Sequence, residues 1–277
     1  MRRSVSAALT AALLLAPTAL LAQDVLPRPL NAQENLKFLS GGNVVADWWK
    51  SVLIGPYTGT ITSGNPTIPQ ITLYCVDFSH EVSAGQTWTA NVTDLGSATS
   101  DASLGDTRLL NTPLSSGGDN PALTGDSFAR YSQAAYLASL FSSWSDYATG
   151  GADPLTYSGG SFATQQDVYS GISAAIWTIM TYGFPGSFGG EITNTALAAA
   201  MAAPFVTMAQ TNYANFDLSG WSILTDAAVV NGQPGTQEFL VRTTVTPEPQ
   251  TYLLLLSGLI VVFAVSWWRR RESIEVA

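Results

Sequence analysis

The chain has a single cysteine and a single histidine in 277 residues. One cysteine excludes an internal disulfide, so whatever core forms must hold by packing and polar contacts alone. A structural zinc site wants four ligands, mostly Cys and His in spaced pairs, and Cys75, Asp77, His80 and Glu81 do not supply them. Charge is also scarce, at 11% of residues. Setting aside five arginines and three glutamates at the two ends leaves six basic and seventeen acidic side chains over residues 23–245. A body of that sign offers phosphates no basic surface, which excludes nucleic acid as a partner. No serine-hydrolase elbow is present either. Gly171-Ile172-Ser173 begins like one, but Ala175 stands where the last glycine belongs, and the stretch reads as helix interior. No internal repeat of fixed period occurs.

Long apolar runs occur at the two ends. Residues 1–22 place Arg2 and Arg3 before an apolar run and end on Ala22, the pattern of a secretory signal peptide cleaved after Ala22. No cysteine stands at that point, so a lipid-anchored lipoprotein is excluded. Near the other end, residues 252–268 (YLLLLSGLIVVFAVSWW) carry no charge and are followed by Arg269, Arg270 and Arg271. As a helix that run reaches about 25 Å, enough to cross a thin bilayer, with the arginines held on the cytoplasmic side. The body between the two signals is then exported.

That body reads as strands, then helices, then strands. Residues 55–62, 71–78 and 87–93 are rich in β-branched and aromatic side chains and are punctuated by turn residues. Residues 94–125 read as loop. Helices are expected near 127–144, capped by Asp126 or Ser127; near 164–182, where Thr164 and Asp167 form a capping box; and near 194–203, stopped by Pro204. Strands return at 221–225 and 237–245. The expected fold is therefore mainly β, an antiparallel, sandwich-like α+β domain over 23–245 with an inserted helical segment, plus one C-terminal transmembrane helix.

Just upstream of the apolar run lies Pro247-Glu248-Pro249. This tripeptide, the span and the arginine cluster, in that order over residues 246–271, resemble the PEP-CTERM sorting signal of exported bacterial proteins; 272–277 form a short tail. The resemblance implies recognition by an exosortase, a membrane-embedded cysteine transpeptidase. It implies anchoring in the inner membrane through 252–268 until sorting, and then a place at the cell surface or outside a bacterium with a double-membrane envelope. Proteins of this group accompany exopolysaccharide and biofilm production, which makes exopolysaccharide an implied partner.

A second resemblance concerns Cys75. Tyr74-Cys75-Val76-Asp77 followed by Ala174-Ala175-Ile176-Trp177 is similar to the paired signatures of bacterial thioester domains. Gly55-Pro56-Tyr57, the Cys75, Asp77, His80 spacing, Gly85, Trp88, the AAYL helix at 134–137 and Gln237-Glu238-Phe239 are similar to a group of PEP-CTERM surface proteins. In a thioester domain the cysteine attacks a glutamine side chain, ammonia leaves, and the acyl group is later captured by an amine. The resemblance puts that glutamine four residues before the tryptophan, where this chain has Ser173. Gln166 points the same way from about 10 Å along the helix, and Gln133 would need a tertiary approach. The match is thus to a degenerate thioester domain, with Cys75 and Ser173 as its remnant.

On a continuous strand Cys75 and Asp77 share a face, and His80 lies opposite and roughly 16 Å away, which rules out a Cys-His dyad. Asp77 and His80 are expected to bond loop backbone at the strand end and hold the next strand. Trp48, Trp49, Trp88, Trp144, Trp177 and Trp221 are expected in the core or lining a groove. The expectation is a non-catalytic surface or matrix protein with no cofactor and no metal. Two alternatives stand beside it: a covalent thioester adhesin, which needs a glutamine against Cys75, and a carbohydrate-binding module, which needs an exposed aromatic row.

Overall fold

A computed structural model describes residues 24–42, 44–45, 53–78, 80–111, 126–181 and 194–245. The expected signal peptide over 1–22 and the expected sorting signal over 246–271, with its tripeptide, apolar run and arginine cluster, lie outside the described residues, as do Trp48, Trp49 and the tail. Among the described residues no helix is long and apolar enough to cross a membrane.

Eleven strands are described: β1 (Asp24–Leu26), β2 (Gln33–Ser40), β3 (Val44–Val45), β4 (Leu53–Ile54), β5 (Tyr57–Ile61), β6 (Ile68–Cys75), β7 (Thr87–Asp94), β8 (Thr156–Tyr157), β9 (Gly160–Ser161), β10 (Trp221–Asp226) and β11 (Phe239–Val245). Six helices join them: α1 (Arg108–Asn111), α2 (Ser127–Ser139), α3 (Trp144–Tyr147), α4 (Gln165–Met180), α5 (Thr195–Asn212) and α6 (Ala227–Val230). The long helices all fall between β7 and β10, so the domain is a β-rich α+β unit with a helical insert.

The sheet is a closed barrel where the sequence suggests a sandwich. Antiparallel neighbours run β11-β10-β7-β2-β5-β6, and β6 returns to β11 through Phe239 opposite Cys75 and Leu240 opposite Tyr74. Closure leaves one interior, and rings fill it. Phe239 meets Phe38, Tyr57 and Trp88 at centroid distances of 6.0, 6.1 and 6.3 Å. On β5 and β6, Tyr57, Ile61, Ile71, Leu73 and Cys75 are buried at alternate positions, as a strand with one face inward requires. The helices cover part of the outside, where Tyr74 stacks on Phe141 at 5.7 Å and meets Trp221 at 5.7 Å. Strand β10 is consequently buried on both faces.

β11 parts from β6 after Leu240, and β1 takes the vacated side: Asp24, Val25 and Leu26 pair in parallel with Thr243, Thr244 and Val245. The registers put Cys75, the start of β7 and the end of β10 at one end of the barrel. Leu26, the start of β2, the start of β6 and Val245 stand at the other.

Helix α4 begins at the expected capping box: the Thr164 N–H donates to the Asp167 carboxylate at 2.8 Å, and the Asp167 N–H to the Thr164 hydroxyl at 3.2 Å. Its far end is held by Arg130 of α2, which donates to the Ile179 carbonyl at 2.7 Å. Helix α2 gives way after Ser139 to a 3-10 turn over Leu140–Ser143, so the expected continuous helix to 144 is segmented. Pro204 does not stop α5, which continues eight residues further to Asn212. Met201, Ala202, Phe205 and Ala209 bury one face across the proline. The carbonyl left without its helical donor belongs to Ala200, which lines an open groove with Pro204.

Gly171 lets α4 lie close against its neighbours. A methyl group there would stand 2.6 Å from a ring carbon of Phe205 and 2.8 Å from one of Phe162, both fully buried. Gly171→Ala is expected to destabilise the protein by about 1–3 kcal/mol through overpacking. Urea unfolding checks this, and an unchanged midpoint contradicts the close packing.

Candidate functional site

The residues of chemical interest meet at the Cys75 end of the barrel. Strand β6 stops at Cys75 rather than running to 78, because β11 pairs with it only through Cys75 and Tyr74. The Val76 N–H still donates to the Glu238 carbonyl at 3.2 Å, and the chain then turns. That turn carries His80 back to Asp77, so the two are in contact and not on opposite faces: the ring Nδ1 lies 2.9 and 3.1 Å from the two Asp77 oxygens.

The group that organises the cluster is Arg108, which sequence reasoning passed over as loop. Its guanidinium Nε lies 2.8 Å from Asp77 Oδ2, and both side chains are 1% exposed. Nη1 donates to the Pro234 carbonyl at 2.8 Å and Nη2 to the Thr236 carbonyl at 2.5 Å. Nη1 also lies 3.3 Å from His80 Nε2. A guanidinium only donates, so Nε2 accepts, and the ring proton sits on Nδ1 facing Asp77.

Glu238 is the second buried carboxylate, reached from three elements. It accepts from the Tyr131 hydroxyl at 2.6 Å, the Thr225 hydroxyl at 2.5 Å and the Arg108 N–H at 2.9 Å. Burial pushes its carboxyl above the ordinary glutamate value, against the pull of Thr225, Tyr131 and Arg108. Asp226 ties in the preceding loop by accepting from the Thr236 N–H at 2.8 Å. Sequence reading singled out Gln237-Glu238-Phe239 only as a motif. No periodicity could have shown that Arg108, Tyr131 and Glu238 meet across more than a hundred residues of chain.

Cys75 is buried, and its thiol donates to the Asp77 carbonyl at 3.3 Å. Burial and then the Asp77 charge push the thiol well above the usual range, while the Trp177 indole and the Asp77 backbone pull the other way. The AIW run therefore does lie at the cysteine, with Phe78 against Trp177 at 5.0 Å. Ser173 is buried one turn earlier on α4, but a serine has no acyl carbon to give. A glutamine is nonetheless present. Gln237 Nε2 donates at 3.0 Å to the same Asp77 carbonyl that takes the thiol. The pairing predicts it, since Phe239 opposite Cys75 puts Gln237 opposite Asp77.

Among the described residues, no group of three or more His, Cys, Asp or Glu could hold a metal ion. Trp88, Trp177 and Trp221 are buried, and Trp144 is half-buried against the core. No family model, curated relative or solved structure matches the chain.

Two outcomes follow for stability. Arg108→Met, which leaves Asp77 buried without its cation, is expected to cost about 3–5 kcal/mol in urea unfolding; a loss below 1 kcal/mol contradicts the burial argument. For Glu238 the native state holds its proton more tightly than the unfolded chain does. Its contribution is therefore most favourable at or below the ordinary value of 4.5 and is lost as pH rises through the raised folded value. Wild type should accordingly lose stability relative to Glu238→Gln on going up in pH from about 4.5, and parallel pH profiles would refute it.

Proposed function

We propose that this is a non-catalytic exported surface or matrix protein, sorted by an exosortase through its PEP-CTERM signal and working in an exopolysaccharide matrix. The observation that carries the reading is the join between domain and signal. β11 ends at Val245, and Pro247-Glu248-Pro249, the apolar run and the arginines follow at once. Strand direction adds to it. β11 runs from the Cys75 end toward the signal, so an anchored barrel turns its Cys75 end about 20 Å away from the anchored end. At that outer end the titratable side chains serve one another: Asp77 and His80 hold Arg108, and Glu238 holds α2, β10 and the Arg108 backbone.

In cells with the sorting enzyme, the mature protein is expected to lack 252–268 and to end near Pro247 to Pro249. Replacing the tripeptide by alanines is expected to leave the span in place and the protein in the inner membrane. Intact mass and fractionation read both, and a tripeptide variant processed like wild type contradicts the reading.

The second reading, a covalent adhesin, is favoured by one observation, the carbonyl shared by Cys75 and Gln237. In it the thiol sulfur bonds to the Gln237 side-chain carbonyl carbon, the carbon–nitrogen bond breaks, and the nitrogen leaves as ammonia with the thiol proton. A partner amine would then take the acyl group and restore the thiol. This reading expects an intact mass short by one ammonia, recovered with a methylamine adduct and absent in Cys75→Ala and Gln237→Glu. A body of unmodified mass eliminates it.

A further inference from the structure

Helix α5 runs for 18 residues without a charged side chain, and Pro204 stands in its interior. A proline has no N–H, so the Ala200 carbonyl, four residues earlier, loses the donor that a regular helix would give it. Ala200 and Pro204, with Ala203 and Thr207, line an open groove of about 490 Å³, a volume within the range of small-ligand sites. The rest of the lining comes from the hairpin of β8 and β9, through Thr156, Tyr157 and Ser158. None of these lining residues is charged.

Tyr157 is placed by what surrounds it. Its ring meets the buried Phe162 edge-on at 5.0 Å, and Phe162 meets Phe205 of α5 at 5.2 Å. A methyl group at Gly160 would stand 2.8 Å from the Tyr157 hydroxyl oxygen and 3.0 Å from the ring carbon that bears it. The missing side chain therefore gives the tyrosine its place across the hairpin. Tyr157 is half-buried, while Thr156, Ser158, Ala203 and Thr207 are exposed.

The groove thus presents one held aromatic ring, alanine methyls and oxygen atoms. Thr207 already donates its hydroxyl proton to the Ala203 carbonyl at 3.1 Å, so its oxygen is left to accept. The Ala200 carbonyl is a second acceptor. A ligand that suits this lining brings hydroxyl donors together with an apolar C–H face to lay on the ring. A carboxylate or phosphate group would find no cation here, and an acyl chain would leave both acceptors without a donor. We infer that the groove binds a neutral saccharide segment of the matrix polymer, with one sugar ring on Tyr157 and sugar hydroxyls donating to the Ala200 carbonyl and the Thr207 oxygen; the inference rests on the matrix reading above.

The test is isothermal titration of the full-length protein, in a detergent without a sugar headgroup, with tetraoses of glucose, galactose, mannose and xylose and with tetragalacturonate. Wild type is expected to bind at least one neutral tetraose and not tetragalacturonate. Tyr157→Ala is expected to weaken that binding by about tenfold. Pro204→Ala returns an N–H to α5, which closes on the Ala200 carbonyl and takes the acceptor from the groove. It is expected to bind several-fold more weakly while its urea midpoint stays at or above that of wild type, a separation that a purely structural proline would not give. A tetraose bound alike by wild type and both variants sits elsewhere, which overturns the groove and leaves the matrix reading standing. Binding of tetragalacturonate alone overturns the neutral ligand. If wild type binds none of these probes, the groove and the matrix reading both fail, whereas processing of the C-terminal span still decides the sorting.

Discussion

Arg108 places its guanidinium against a carboxylate that folding has removed from water, while its own backbone N–H binds a second. The Asp77 pair spans the turn after β6, and the Glu238 contact ties α1 to the start of β11. The two carbonyls that Arg108 also binds belong to the loop between α6 and β11. Tyr131 brings α2 to the same Glu238 carboxylate, and Thr225 brings β10. The guanidinium thus joins the turn after β6 to the loop before β11, and Glu238 joins α1, α2 and β10. Taking away the Arg108 cation strands the buried Asp77 charge. The closing pairs of the barrel, Cys75 with Phe239 and Tyr74 with Leu240, stand beside it.

The other end of the barrel is organised on a similar plan with a smaller cluster. Arg28 meets the buried Glu34 at 2.6 Å and also donates to the Ser63 carbonyl at 2.7 Å. Burial alone would push the Glu34 carboxyl up, but Arg28, the Asn31 backbone and Ser63 bring it below the ordinary value. The two ends differ in what leaves them. At the Arg28 end β11 leaves the barrel at Val245, with Pro247-Glu248-Pro249 next in sequence, and the Arg108 end carries Cys75, His80 and Gln237.

Local chemistry was legible in the sequence where a short stretch decides the outcome. The Thr164 and Asp167 capping box needs only four residues, and β5 and β7 each stand in a stretch rich in β-branched and aromatic side chains. Closure was not legible, since a sandwich and a barrel share the same strand pattern and differ only in whether β6 finds β11. Pro204 misled for a related reason: a rule about isolated helices gave way to the buried face of α5. The site was half legible. Asp77 and His80 could be placed at a strand end, whereas Arg108 sat in a stretch that reads as loop. Gln237 became visible as a neighbour of Cys75 only once the register of β11 on β6 was known.

The Arg108 end is a part of the fold whose polar groups bind one another and hold it together. Native-state hydrogen exchange tests this at two amides bound there, Val76 to the Glu238 carbonyl at 3.2 Å and Arg108 to the Glu238 carboxylate at 2.9 Å. The account predicts that both exchange only through global unfolding, with the same free energy and the same denaturant dependence as the whole domain. Exchange of either through a local opening far below the global free energy would contradict it, and would mark this end as a moving site rather than a structural one.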